Sequence, residues 1–387
     1  MARVYLFRGN HPLYETLVSN PPEGIEYVQK GTSGSRQEYT LYNASNAMVR
    51  QTVNRAFALI GIPRWFPVLK RYDLVHSCRG FFILGPNPFV VDVEHCASFA
   101  GMQHERLGSN RFRRLVEKGL QSDKCRAVLP HCEAAKKTLS IVTESSSVRE
   151  KTTVLYPTIV PERDNYDREE VDSPRLLFMG EYYWKGGREF LEACSRLKDR
   201  LDFKVKYISL RVHPPEEILS RAREQLQLDY VEGPIPRAEL FSRTYPSSDV
   251  FVMPTYIDTF GYAFLEAMSF GLPCVGTRHF AVPEIVEDEV TGLLVEPIAS
   301  YFDAKGLGRP GMQVQDIRNQ RTVDGLTEAL ERLISSRSLR SSMGRAGYNS
   351  VAEGKFCVRR RNDILKSVYE SAIRGRLEIN HSHEQVH

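Results

Sequence analysis

Two carboxylates carry the first chemical signal in this sequence. Asp258 and Glu266 lie within VFVMPTYIDTFGYAFLEAMSFGLPCVG, the stretch from Val250 to Gly276. An apolar run ends at Pro254, a loop holds Asp258, Gly261 allows a tight turn, and a helical pattern then carries Glu266. Gly271 caps that helix and Pro273 opens the next apolar run. The spacing sets one carboxylate on a strand-to-helix loop and the other about one turn into the helix, at a sheet's carboxyl edge. Such a helix start attracts phosphate. Carboxylates beside it accept charge-assisted hydrogen bonds from sugar and ribose hydroxyls. A structural reading stands beside this one: Glu266 could brace its own helix, and Asp258 could close an Asx-turn.

The elements that must position these groups alternate along the whole chain. Val4–Phe7, Leu74–His76, Phe89–Val93, Arg126–Leu129 and Thr153–Tyr156 read as strands, with Asn46–Ile60, Asn110–Leu120 and Glu133–Leu139 as helices. A charged, Pro-flanked stretch without periodicity, Val160–Pro174, is the natural linker. The alternation then restarts, with strands at Arg175–Met179, Phe203–Leu210, Asp249–Met253 and Pro273–Gly276 and helices at Gly187–Leu197, Pro215–Gln225 and Tyr262–Phe270. Two βαβ series predict an α/β protein of two Rossmann-like domains facing each other across a cleft. The expected division is 1–160 and 175–355 around a linker at 161–174, with 356–374 returning to the first domain and 375–387 as a tail. Ile298–Arg321 and Gly375–His387 sit outside the regular pattern.

Composition narrows the class. With 387 residues, 42% hydrophobic and 26% charged, the chain is an ordinary globular protein. No apolar run approaches a membrane-spanning length, and the start, MARVYLFRGN, has no signal-peptide pattern. Seven scattered cysteines without a CxxC pair argue against a disulfide framework or zinc site and for a reducing, cytoplasmic setting. Residues 1–163 hold 22 Lys and Arg against 14 Asp and Glu, whereas 164–387 hold 30 against 34. A basic first half fits an anionic partner. No nucleic-acid-binding motif accompanies it.

Asp258-x7-Glu266, followed by EAMSFGLPCV and PEIVEDEVTGLLVEP, closely resembles the E-x7-E signature of retaining GT-B glycosyltransferases of the GT4 group. RLLFMGEYYWKGGREFLEA is similar to that family's strand, loop and helix bearing a phosphate-binding lysine, here Lys185. YVEGPIPRAELFSRTYPSSDVFVMPT and FCVRRRNDILKSVYESA resemble its stretch before the acidic motif and its closing helix. The resemblance is dense from Pro174 to Ala372 and patchier before, at YDLVHS, PFVVDVEH, CRAVLPHCEAAKKTL and TTVLYP.

That resemblance implies roles. Glu266 binds the nucleotide's ribose, and Asp258 the donor sugar. Phe260, Gly261 and Tyr262 present backbone N–H groups to sugar or distal phosphate. Lys185 neutralises the diphosphate, and His95 lies beside the donor sugar. The implied activity is a retaining hexosyl-type transfer from a nucleotide-diphosphate sugar to a carbohydrate, lipid-linked or small-molecule hydroxyl. The leaving phosphate takes the acceptor's proton, and no metal or other cofactor is required. Asp92-x-Glu94 therefore reads as a strand-end charge pair, not a metal site.

Departures from the pattern leave a second class open, a nucleotide-binding protein of the same fold without turnover. The first acid is Asp where glutamate is usual. Glu181 stands where an arginine is common, with Arg8, Arg79 and Arg211 as replacements. The Gly-Gly loop after the first strand is reduced to Arg8-Gly9-Asn10-His11, and Ile298–Arg321 resembles an insertion. A nicotinamide-dependent dehydrogenase is disfavoured, since no G-x-G-x-x-G follows the first strand of either half. Finally, Asn46–Arg71, with Arg50, Arg55, Arg64, Trp65, Phe66, Lys70 and Arg71, and Ser109–Gly119, with Arg111, Arg113, Phe112, Arg114, Leu115, Val116 and Lys118, mix cations with apolar residues. They raise peripheral docking on the anionic inner face of a membrane as an expectation.

Overall fold

The computed structural model describes residues 1–8, 11–29, 57, 59–78, 80–162, 166, 168, 171–297, 299–309, 311–317 and 320–375. Most of the helix expected at Asn46–Ile60, with Arg50 and Arg55, lies outside them, as do Gly9, Asn10, Arg79, part of the expected linker and the tail from 376. The chain divides into two units: Met1–Pro157 with Ala304–Pro310 and Arg359–His387, and Thr158–Asp303 with Gly311–Val358. Residues 304–310 thus fall with the first unit.

In the first unit, β1 (Ala2–Phe7), β2 (Ile25–Val28), β4 (Leu74–Ser77), β6 (Phe89–Val93) and β7 (Cys125–Pro130) form a parallel sheet in the order β2-β1-β4-β6-β7. A separate parallel ribbon pairs β3 (Trp65–Pro67) with β5 (Phe82–Leu84). Alternation along each strand sends side chains to opposite faces. Tyr5, Val75, Val91 and Val128 join one core, where α1 (Asn110–Gln121) buries Phe112, Val116 and Leu120. Val4, Leu6, Leu74, Val90 and Leu129 join the other, under the C-terminal helix.

Thr153–Tyr156 is not a strand. Thr152 makes one bridge to Val128, and the Thr153 and Leu155 N–H groups bond to Val128 O and Pro130 O. The pairing stops there because Pro157 has no N–H to continue it. β2 was not read from sequence; it is a four-residue edge strand, IEYV, with a charge in it.

The second unit holds β8 (Arg175–Gly180), β9 (Lys204–Ser209), β10 (Asp229–Glu232), β11 (Val250–Met253), β12 (Cys274–Thr277) and β13 (Gly292–Val295). All are parallel, in the order β10-β9-β8-β11-β12-β13. Counted along the unit this is 3-2-1-4-5-6, the doubly wound order, whose switch point lies between β8 and β11. Helices α2 (Gly187–Leu197), α3 (Glu216–Leu226), α4 (Tyr262–Ser269), α5 (Gln320–Ser335) and α6 (Arg337–Ala352) cover it.

The closing helix α7 (Val358–Arg374) belongs almost wholly to the first unit. Arg361 donates to Thr16 Oγ1 at 2.8 Å, Thr16 O at 3.1 Å and Asn20 O at 2.7 Å. Further along, the Tyr369 hydroxyl lies 2.5 Å from His76 Nδ1 and 3.0 Å from the Tyr27 hydroxyl. The opposite nitrogen of His76 is 2.7 Å from Asp92 Oδ1, and His131 Nε2 is 3.7 Å from Asp92 Oδ2. His76, Asp92, His131 and Tyr369 are buried, and Tyr27 is half-buried.

Candidate functional site

The loops after β8 and β11 leave the sheet at its switch point, and they carry Lys185 and Asp258. The β8 loop is glycine-dependent. Gly186 sits at φ +75°, and a Cβ there would lie 2.4 Å from Pro254 O; one on Gly187 would lie 2.0 Å from the Tyr207 hydroxyl. Backbone bonds from Lys185 N to Glu181 O and from Gly186 N to Tyr183 O tighten the turn. Lys185 is thereby brought against the β11 loop, where its Nζ donates to Asp258 Oδ2 at 2.6 Å. The pair keeps about a fifth of its side-chain surface exposed, 23% and 19%.

Burial pushes the Asp258 carboxyl up, but Lys185, His279 and the Gly261 N–H together outweigh it and hold the group below its ordinary value. Asp258 is therefore an anion at neutral pH. Gly261, at φ +87°, begins the turn into α4, and Phe260 and Tyr262 flank it, both buried. The Tyr262 hydroxyl donates to Thr158 O at 3.0 Å. One turn on, buried Glu266 accepts from Arg237 Nε and from the Tyr245 hydroxyl, each at 3.0 Å. Lys185, Asp258, Phe260, Gly261, Tyr262 and Glu266 are thus brought together in one unit: an ion pair at one end, a second anion at the other, a helix start between.

Sequence reasoning missed three neighbours. Arg237 and Tyr245 hold Glu266, and Arg237 also stacks on Phe241 at 4.0 Å. Nothing in PIPRAELFSRTY marks them, because they act through tertiary contact. The third, His279, is buried with its Nδ1 2.8 Å from Ser300 Oγ. Burial lowers its pKa to about 4, against the pull of Asp258, so it is neutral. Glu181 is met by Arg211 at 3.5 Å, whereas Arg8 lies in the first unit and donates to Gln29 Oε1 at 3.1 Å.

His95 lies in the first unit, at the end of β6, and caps the short 3-10 helix Cys96–Ala100. Its Nδ1 accepts the Ala97 N–H at 2.9 Å, and its Nε2 lies 2.5 Å from the Gly306 carbonyl. Nε2 therefore carries the proton. Burial, opposed by the Gly306 carbonyl and aided by nearby His104, lowers the pKa of this imidazole to about 4, so it too is neutral.

Asp92, read as one of a strand-end charge pair, is buried against His76 and His131. Among the described residues, one trio of metal-ligating types converges, His76, Cys78 and Asp92. Both His76 nitrogens are already taken up there, by Tyr369 and by Asp92.

The aromatic anchors expected at a membrane surface are used inside the fold. Arg64 is buried over the Phe81 ring, Phe66 stacks on Phe7 at 4.0 Å, Trp65 packs against Phe82 at 4.9 Å, and Phe112 and Val116 are core. Lys70, Arg71, Arg111, Arg114 and Lys118 remain exposed. Among the described residues no helix is long and apolar enough to cross a membrane.

Part of the sequence, and the fold as a whole, are similar to known proteins. Residues 173–304 match the family model of glycosyl transferases group 1. A sulfoquinovosyl transferase of Arabidopsis thaliana is 46% identical over 132 residues, 33% of this chain and 24% of that protein. A D-inositol 3-phosphate glycosyltransferase of Segniliparus rotundus is 29% identical over 140 residues, 36% of this chain and 25% of that protein. These alignments span about a quarter of each relative's length. The fold matches over nearly the whole chain. Sucrose-phosphate synthase of Thermosynechococcus elongatus superposes with a TM-score of 0.59 at 15% identity, covering 96% of this chain and 99% of that one. HepE of Anabaena, solved with UDP-glucose, gives 0.56 at 13% identity, covering 95% and 99%. The chain has the GT-B fold, and its residues 173–304 match the group 1 glycosyltransferase domain.

Proposed function

From that domain as premise, we propose that the protein transfers a sugar, with retention, from a nucleotide-diphosphate donor to an acceptor hydroxyl. The observation that carries the reading is the Lys185–Asp258 pair at the switch point, with Glu266 one turn into the helix that follows. Glu266 would take the ribose hydroxyls, its carboxylate already aimed by Arg237 and Tyr245. Asp258 would take a sugar hydroxyl, its charge kept by Lys185 and the Gly261 N–H. Lys185, with the N–H groups at the start of α4, would meet the charge that develops on the departing diphosphate. This donor set provides the stabilisation that a metal ion supplies elsewhere, and the GT4 grouping and metal independence belong to the same proposal. Arg211, beside Glu181, is the replacement for the family's arginine that the geometry favours. The acceptor would be a carbohydrate, lipid-linked or small-molecule hydroxyl, with His95 beside the donor sugar. Docking on an anionic membrane would rest on the exposed cations alone.

A thermal-shift panel of nucleotides and nucleotide sugars tests the donor assignment, since a ligand at 100 times its Kd stabilises by about 2.7 kcal/mol. With the nucleoside diphosphate so identified, Glu266→Ala is expected to weaken binding by about 10–100-fold, the loss of a hydrogen bond to a charged group. Glu266→Gln keeps an acceptor for Tyr245 and separates misfolding from lost recognition. Asp258→Ala should instead leave diphosphate affinity within about threefold and lower turnover. Equal loss of binding in both variants would contradict the division of roles. Tight binding without transfer or donor hydrolysis by the unsubstituted protein would favour a binding protein of this fold.

A further inference from the structure

The stretch after β13 is held at two places. Its root belongs to the second unit, where Ser300 Oγ lies 2.8 Å from His279 Nδ1 and the Phe302 ring stacks on the His279 ring at 5.5 Å. The Tyr301 N–H also donates to Tyr256 O at 3.0 Å. Its continuation, Ala304–Pro310, belongs to the first unit. There the Gly306 carbonyl accepts from His95 Nε2 at 2.5 Å, and the Gly308 N–H donates to His104 Nδ1 at 3.1 Å. Leu307 packs against the core that holds Phe112 and Val116. The two imidazoles meet edge to face, 4.7 Å apart, and His95 has no exposed surface. Gly306 turns through φ +82° to present its carbonyl.

A carbonyl oxygen on an imidazole N–H occupies the place that a ligand hydroxyl oxygen would fill, since each offers a lone pair to the same donor. We propose that residues 304–309 are a removable strap. In this state the Gly306 carbonyl takes the hydroxyl-binding position on His95, and a sugar reaches that histidine only when the strap lifts. The inference rests on the placement of His95 beside the donor sugar given above. The strap is rooted on His279, whose ring also faces Asp258.

Carbethoxylation by diethyl pyrocarbonate, mapped residue by residue by mass spectrometry, tests the strap without any ligand. Exposed His213 serves as the internal standard. In the unsubstituted protein His95 should react at least about tenfold more slowly than His213. In Leu307→Asp, which places a charge where the leucine packs, His95 should react at nearly the rate of His213. Gly308→Pro, which deletes the N–H given to His104, should do the same and guards against misfolding of the first variant. Protection of His95 in both folded variants, or full reactivity in the unsubstituted protein, would overturn the proposal. UDP-glucose turnover adds a second reading. A several-fold rise on releasing the strap supports a cover, whereas a fall would make the segment part of the working site and overturn it. A chain that binds no nucleotide, with or without the substitutions, would sink the sugar-transfer reading, and the protection pattern would then judge the strap alone.

Discussion

Lys185→Ala is expected to lower kcat/KM by about 10²–10³-fold, the loss seen when one preorganised donor is removed from a site of developing negative charge. The size follows from what the lysine does twice. On the proposed reading its ammonium is the cation that the Lys185–Asp258 pair presents to a departing diphosphate, and it also holds the Asp258 carboxylate at 2.6 Å. Without it, burial acts on Asp258 with less opposition and raises its pKa from the lowered value. The variant should therefore lose activity more steeply on the acid side than the unsubstituted protein. Lys185→Arg keeps the charge and should recover part of the rate, with a pH profile close to normal. Steady-state kinetics with the donor identified by thermal shift checks both. An unchanged kcat/KM would move the phosphate-binding role to Arg211.

Asp92→Ala is expected to cost the first unit about 3–5 kcal/mol, because removing the carboxylate from a buried hydrogen-bonded cluster strands the polar groups around it. Asp92 is faced by His76 at 2.7 Å and by His131 at 3.7 Å, and His76 is in turn held by Tyr369 of α7. Burial raises the Asp92 carboxyl, but the two histidines outweigh it and hold the group well below the usual carboxylate range. A carboxylate lowered in this way contributes its full stability above its unfolded pKa of about 4, and loses that contribution as pH falls further. The unsubstituted protein should accordingly lose first-unit stability below about pH 4, and the variant should show less of that dependence. The two tryptophans make this measurable. Trp65 lies in the first unit and Trp184 in the second, so a Trp184→Phe background lets fluorescence follow the first unit alone through a denaturant titration. A midpoint shift worth less than about 1 kcal/mol would show that the cluster tolerates the loss.

The parts legible in the sequence are those that local chemistry determines. Gly187–Leu197 reads as a helix to the residue, because a positive-φ glycine precedes it and its apolar positions recur on one face. β8 and β11 are continuous apolar runs, the mark of parallel strands covered on both faces. The turn at Gly261 was readable for the same reason, since only glycine takes that conformation without strain. What failed depends on distant partners. β2 and β10 are four-residue edge strands, IEYV and DYVE, whose polar residues break the apolar run. The setting of Asp92 depends on His76, His131 and Tyr369, and Tyr369 lies hundreds of positions away. Arg64, Trp65 and Phe66 read as surface anchors because their composition matches one; Phe7, Phe81 and Phe82 draw them inward. The carboxylate pair was visible by spacing, but the arginine and tyrosine that aim Glu266 were not.

The return of α7 to the first sheet bears on how the protein is made. One face of that sheet, with Val4, Leu6, Leu74, Val90 and Leu129, finds its cover in Leu365, Val368 and Tyr369. When the ribosome has completed residue 157, those apolar side chains lack the cover of α7, which is still about 200 residues from being translated. At about 5–20 residues per second, the nascent first unit carries an open hydrophobic face for roughly 10–40 s while the second unit is built. A polypeptide ending before Val358 never closes it. Chaperone occupancy on the ribosome should therefore rise after the first unit emerges and fall only on release, and chains truncated before α7 should aggregate even with every predicted donor-site residue in place.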